Sequence, residues 1–346
     1  MDTQRDEPLL YLPRREVERL CREIDSVRVM REVFQMHGAG QTILPEEAYL
    51  SWRNRDAEQV RSLNMPGYLG GSWLVAGTKI INGNGANPQR GMPRASGMTL
   101  LFDETSARIV CMMEGAYISS LRTASVSVLA MELFQSSAVE RIAVIGAGEL
   151  ARAHLELVSE RVPLLREIAL FDLKEERVDA LRERMEALLR ARGVVLRSAG
   201  SAEDAIRGAQ VVIAVTTTTC GYISYEWLQP GALLVNVSLD DPLPEVVVKA
   251  DQVIVDDWSL VKADARRLLG RMYRAGTLVG PEAVIGEGRR VDAQLGEIVR
   301  GEKAGRRDER EIIMVNPFGL SLEDLALAAE VYRVACERSL GIWLER

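Results

Sequence analysis

The segment Arg141–Ala151, RIAVIGAGELA, restricts the fold more than any other stretch of the chain. It reads as a buried strand, a turn of the form G-x-G-x-x-A and the start of a helix. Gly146 allows the tight turn. Gly148 lets backbone approach a pyrophosphate without a Cβ in the way, and Ala151 permits close helix–strand packing. The helix N-terminus, at Glu149 and Leu150, then offers N–H groups and a positive dipole end to phosphate. The same alternation continues through EIALFD, EERVDALRERMEALLRARG, VVLRSA, SAEDAIRGA, QVVIAVT, ALLVNVS and QVIVDD. Apolar strands alternating with amphipathic helices imply a parallel sheet with right-handed crossovers. The second strand ends in Asp172, about 20 residues past the turn, where a carboxylate accepts bonds from adenosine ribose hydroxyls and repels a 2′-phosphate. The cofactor expected is NAD, with Lys174 and Arg177 close enough to soften that preference. The competing reading is a Gly-rich turn with Asp172 as a helix cap.

The flanking sequence has a different character. Residues 14–38 carry apolar residues at helical spacing, and 66–94 are rich in Gly, Pro and Asn. MTLLF (98–102) and RIVCMM (108–113) predict two strands around a turn, in an antiparallel or mixed sheet. From Ile118, ISSLRTASVSVLAMELF predicts one helix. After a charged, Gly-rich region of helices and loops (262–310), EIIMVNPFG predicts a last strand and LEDLALAAEVYRVACERSLG a C-terminal helix. The fold class expected is α/β: a Rossmann NAD-binding domain (126–316) inserted in an α+β substrate and dimerisation domain (1–125 plus 317–346). A length of 346 residues suits two such domains.

Composition removes several chemistries. The formal net charge is -7, the wrong sign for coating a nucleic acid. No apolar run is long enough to cross a membrane, and the polar, acidic N-terminus is not a secretion signal, so a cytoplasmic protein is expected. Cys21, Cys111, Cys220 and Cys336 form no C-x-x-C pair; all four are expected to be buried small hydrophobes, with no metal site. His37 and His154 are the chain's two histidines. His154 is expected on a helix surface or packed by the cofactor cleft. An acid–base catalyst therefore falls to Asp, Glu or Lys. Cations for a small anionic substrate are Arg53, Lys79, Arg94 and Arg122. Arg122 lies in an apolar, small-residue helix, where a buried guanidinium needs an anion: a substrate carboxylate, or an internal acid such as Glu114. Lys79 points inward from a strand or lies on a solvated face. Asp240 and Asp241 follow a sheet strand, at the edge where open α/β sheets place ligands. They form an acid–base candidate or a water-satisfied loop pair.

GTKII (77–81), NPQRGMPRASG (87–97), MEGAYISSLRTASVSVLA (113–130), VIGAGELA (144–151), VNVSLDD (235–241), VDDWS (255–259), LGEIV (295–299) and NPFGLSLEDLA (316–326) together resemble the ornithine cyclodeaminase/μ-crystallin family over nearly the whole chain. RASG, VDDWS and NPFG are most similar to its N-(2-amino-2-carboxyethyl)-L-glutamate dehydrogenases, of 2,3-diaminopropionate (siderophore or antibiotic) biosynthesis. The resemblance implies a homodimer and an amino acid substrate. It implies that Lys79 and Arg122 hold the substrate α-carboxylate, with Arg53 and Arg94 on further carboxylates. Asp241 is implied as acid–base group. Thr123, Thr216, Ser238 and Asn316 are implied to line the cofactor cleft. The reaction implied is NAD-dependent oxidation of the secondary amine to an imine, then hydrolysis to 2-oxoglutarate and L-2,3-diaminopropionate. A cyclodeaminase, an alanine dehydrogenase or ketimine reductase, and a non-enzymatic small-molecule binder are the other activities implied by the family.

Overall fold

The computed structural model describes residues 8–135, 138–284 and 288–345. The N-terminal residues 1–7 lie outside the described residues. The chain divides into two compact units, Met1–Arg122 with Leu320–Arg346, and Thr123–Gly319.

The first unit is built on an eight-stranded mixed sheet. Its order is Ile342–Leu344, Leu9–Leu12, Ile109–Glu114, Ala95–Phe102, Val75–Asn84, Gln59–Leu69 and Thr42–Ile43, with Ala48–Arg53 also paired to Gln59–Leu69. Neighbours are antiparallel except Leu9–Leu12 beside Ile109–Glu114. The two strands expected around residues 103–107 are present. Helical spacing over 14–38 is interrupted once: Arg14–Cys21 and Ser26–Gly38 are separate helices, because the Asp25 carboxylate accepts the Arg28 N–H at 3.0 Å and starts a new N-terminus. The C-terminal helix, Ser321–Glu337, packs on the strands Gln59–Leu69 and Val75–Asn84. A single apolar face was expected of it. Its first two turns are instead buried on every side, Glu323 and Asp324 included.

The second unit is a parallel eight-stranded sheet. Its order is Val195–Ser198, Glu167–Phe171, Arg141–Ile145, Val211–Ala214, Leu233–Asn236, Ile313–Asn316, Gln252–Val255 and Ala293–Gln294. The core strands are apolar and buried on both faces, as helices on either side require. Strand order reverses between Arg141–Ile145 and Val211–Ala214. Crevices that hold ligands in such sheets open at the carboxyl ends of strands flanking this reversal. Among the described residues no helix is long and apolar enough to cross a membrane, and no His, Cys, Asp and Glu cluster is arranged for a metal.

Candidate active site

The first strand of the parallel sheet ends at Gly146, whose φ is +107°; a Cβ there would stand 2.8 Å from the Val215 carbonyl oxygen. Only glycine fits this turn. Gly148 precedes the helix Glu149–Arg161, whose N-terminus no side chain caps. A Cβ at Gly148 would meet nothing within 4 Å. Open space therefore lies over first-turn N–H groups at the positive end of a helix dipole, which fits a pyrophosphate. The Glu149 side chain is drawn to Arg152 at 2.5 Å, so the backbone of Glu149 and Leu150 is what faces a phosphate. Asp172 Oδ2 accepts the Ala147 N–H at 2.9 Å and Oδ1 accepts the Lys174 N–H at 3.0 Å. The carboxylate ties the turn to the end of the second strand. Each oxygen keeps acceptor capacity for a ribose hydroxyl. These residues fit a dinucleotide.

Beyond the strand Leu233–Asn236, Leu239 is held at φ +74°, a costly backbone for a bulky residue. The two acids that follow are fully buried and differently satisfied. Asp240 faces two guanidinium groups, Arg267 at 2.9 Å and Arg271 at 3.0 Å. Asp241 faces hydroxyls: Thr216 and Tyr222 donate to Oδ1 at 2.8 and 2.7 Å, and Ser238 donates to Oδ2. Asp240 is thus neutralised by two fixed cations, whereas Asp241 is held by hydroxyls, each of which can both donate and accept.

The first unit holds a buried quartet. Lys79 Nζ lies 2.8 Å from Asp324 Oδ2 and 3.5 Å from Ser119 Oγ. Arg122 lies 2.5 Å from Glu323 and, through Nε, 3.3 Å from Asp324. Lys79 is 2% exposed and both acids 0%. Burial outweighs Asp324 and lowers the Lys79 pKa from its ordinary value. Arg122 does meet internal acids, but Glu114, the example suggested by proximity, is engaged elsewhere. It accepts the Ala116 and Tyr117 N–H groups at 3.0 and 3.1 Å, at the start of helix Ala116–Phe134. A carboxylate adjoining a helix start is taken up by its N–H groups. Arg53 and Arg94 are exposed. Asn84, which bonds the Arg94 carbonyl, is five residues along the strand from Lys79, roughly 16 Å at strand spacing. Arg53 pairs with Gln59 at the same end of the sheet. Neither belongs to the quartet.

The ornithine cyclodeaminase/mu-crystallin family model matches residues 11–339. The chain belongs to this family. It is 30% identical, over 97% of its length and 98% of the relative's, to the N-((2S)-2-amino-2-carboxyethyl)-L-glutamate dehydrogenase of Staphylococcus aureus (strain NCTC 8325 / PS 47). Its fold is similar to the crystal structure of CmnK, with TM-score 0.89 and 34% identity, covering 98% of each chain. It is also similar to an archaeal alanine dehydrogenase dimer with bound NAD, with TM-score 0.82 and 25% identity, covering 97% of this chain and 99% of that one.

The remaining family positions have definite places. Asn316 Oδ1 accepts the Asn236 side-chain amide at 2.7 Å, at the ends of neighbouring strands. Thr123 is buried at 9% exposure. In VDDWS, Asp256 accepts the Gly319 N–H at 2.6 Å and Asp257 caps helix Trp258–Ala263, so both acids are structural. His154 is fully buried rather than on a helix surface, and it bonds to a residue of the dinucleotide turn. Its Nδ1–H donates to the Leu150 carbonyl at 2.7 Å, Nε2 accepts from Ser127 at 2.8 Å, and burial lowers its pKa to about 4. Cys21 and Cys111 are buried as expected, but Cys220 is exposed in the loop after Val211–Ala214 and Cys336 is half-buried. Sequence reasoning passed over Glu323, Asp324 and Tyr222. The acid pair in LEDLA was a usable signal: two carboxylates opening an otherwise apolar helix match the two inward cations.

Proposed function

We propose that the protein oxidises and hydrolyses N-(2-amino-2-carboxyethyl)-L-glutamate to 2-oxoglutarate and L-2,3-diaminopropionate. The chain is an NAD-dependent oxidoreductase. The observation that carries an amino acid substrate is the quartet Lys79, Arg122, Glu323 and Asp324. Two cations side by side, each held in place by a fully buried acid, suit the carboxylate of an amino acid. The choice of this amine rests on the 30% identity to the Staphylococcus aureus relative.

Bound NAD+ supplies the hydride acceptor. In this reading Lys79 and Arg122 hold the α-carboxylate of the glutamate moiety, and Asp324 and Glu323 fix both cations in advance, which is the positional part of catalysis. Loss of hydride from the glutamate α-carbon leaves a C=N bond. Asp241 takes a proton from water as its oxygen adds to that carbon, then returns the proton to nitrogen as the C–N bond breaks. The sum is amine, NAD+ and water giving keto acid, primary amine, NADH and a proton.

A homodimer is part of the same proposal. The strand Ala48–Arg53 is exposed along its whole length and carries Leu50 and Trp52 on one face, apolar surface that a second copy would cover. The test of the reaction is spectrophotometric. The purified protein with NAD+ and this amine should form one NADH per 2-oxoglutarate. Release of NADH with alanine alone would replace the reading by an alanine dehydrogenase. A cyclic product from ornithine without net NADH would replace it by a cyclodeaminase.

A further inference from the structure

Tyr222 stands in the loop after Val211–Ala214, and the mechanism above does not use it. Its hydroxyl donates to Asp241 Oδ1 at 2.7 Å. The backbone fastens the same pair: the Tyr222 and Ile223 N–H groups both donate to the Asp241 carbonyl, at 2.8 and 2.9 Å, and the Leu243 N–H donates back to the Ile223 carbonyl at 2.9 Å. Gly221 allows this approach, because a Cβ there would stand 2.5 Å from the Pro242 carbonyl oxygen. Gly221-Tyr222 is thus latched to Asp241-Pro242 through main chain and side chain together. A ring that merely filled space would need neither the latch nor a hydroxyl aimed at a buried carboxylate.

We propose that Tyr222 is a positioning residue that sets the proton affinity of Asp241, its hydroxyl joining those of Thr216 and Ser238 to hold the carboxylate ionised and in one orientation until a proton arrives. The inference rests on the reading of Asp241 as the acid–base group. The surrounding charges suit this role. Asp240 is neutralised by Arg267 and Arg271. Burial, then the charges of Asp241 and Asp172, keep the Tyr222 phenol well above its usual range, so it remains a donor at every working pH. The cage also has a way to accept the proton. Ser238 Oγ lies within hydrogen-bond reach of both Asp241 Oδ2 and the Ala214 carbonyl, the latter at 2.9 Å. When Oδ2 is protonated, the Ser238 hydroxyl turns to the Ala214 carbonyl and its lone pair receives the new Asp241 O–H. Nothing else in the cage has to move.

The test is the pH dependence of kcat for Tyr222→Phe, with the amine substrate fixed by the NADH assay. One donor fewer makes the carboxylate more basic, so the acidic limb should move up by about one pH unit. The Kd for NADH should stay within about twofold of the parent's. Thr216→Val should move the limb the same way and Thr216→Ser should leave it in place; these two variants decide the matter if Tyr222→Phe does not fold. A limb that stays put in Tyr222→Phe, with or without a lower kcat, overturns the inference. Asp241→Asn separates it from the reading beneath. If Asp241→Asn binds NADH and is silent while the Tyr222→Phe limb is unmoved, only the role of Tyr222 falls. If Asp241→Asn turns over, the acid–base assignment falls and takes this inference with it.

Discussion

Replacing Asp324 by Asn tests the quartet quantitatively. The substitution keeps shape and removes one charge, leaving the Lys79 ammonium buried beside Arg122. Removing one partner of a buried pair costs about 3–5 kcal/mol. Lys79 has an escape that limits the loss: it can release its proton. From an ordinary lysine pKa of ~10.4, that costs about 4.6 kcal/mol at pH 7 and about 1.9 kcal/mol at pH 9. The sign follows from linkage. The folded variant binds fewer protons than its unfolded chain below the unfolded pKa, so its stability rises with pH at about 1.4 kcal/mol per unit. The deficit relative to the parent should therefore be a few kcal/mol at pH 7 and narrow toward pH 9. Narrowing stops where the parent's own Lys79, whose pKa burial also lowers, begins to lose its proton. Glu323→Gln provides the contrast, because Arg122 has no such escape. Its deficit should change less with pH over the same range, since Glu323 acts on Lys79 through charge alone while Asp324 also hydrogen-bonds it. Urea unfolding followed by far-ultraviolet circular dichroism at pH 7, 8 and 9 gives both series. Equal midpoints for parent and Asp324→Asn at pH 7, or the same pH response in both variants, would show that Asp324 does not hold a charged Lys79.

Three further outcomes follow from the dinucleotide half and the thiols. Gly148→Val puts a branched side chain into the open space over the helix N-terminus and should weaken NADH binding at least tenfold, or about 1.4 kcal/mol, by fluorescence titration; unchanged affinity would move the phosphate site elsewhere. Asp172→Ser removes the carboxylate that opposes a 2′-phosphate and should narrow the preference for NADH over NADPH, read from the two Kd values. Cys220 should react first with a thiol reagent in the native protein, whereas Cys21 and Cys111 react only on unfolding, since burial raises both thiols, Cys111 to about 12.

Local signals carried the parallel sheet. Gly146, Gly148 and Ala151 announce the turn within a few residues, and each buried strand is a short apolar run between amphipathic helices. The cations Lys79 and Arg122 were also legible, because each interrupts apolar sequence. Their partners were not. Glu323 and Asp324 sit at the far end of the chain, and the pairing exists only once the C-terminal helix lies on the first sheet. Proximity in sequence favoured Glu114, but that carboxylate adjoins a helix start and is claimed by its N–H groups. The break at residues 22–25 was hidden because helical spacing continues across it, and a single Asp25 cap decides the matter. Tyr222 and Asp241 are joined by a main-chain latch that leaves no periodic trace, only Gly221.

In the proposed reaction, hydride leaves the glutamate α-carbon of a secondary amine. The most direct measurement uses N-(2-amino-2-carboxyethyl)-L-glutamate carrying deuterium at that carbon, incubated with NAD+, and mass spectrometry of the reduced nucleotide. One deuterium per NADH formed is expected, with 2-oxoglutarate and 2,3-diaminopropionate in equal amount. Unlabelled NADH, or release of both products without any NADH, would contradict it.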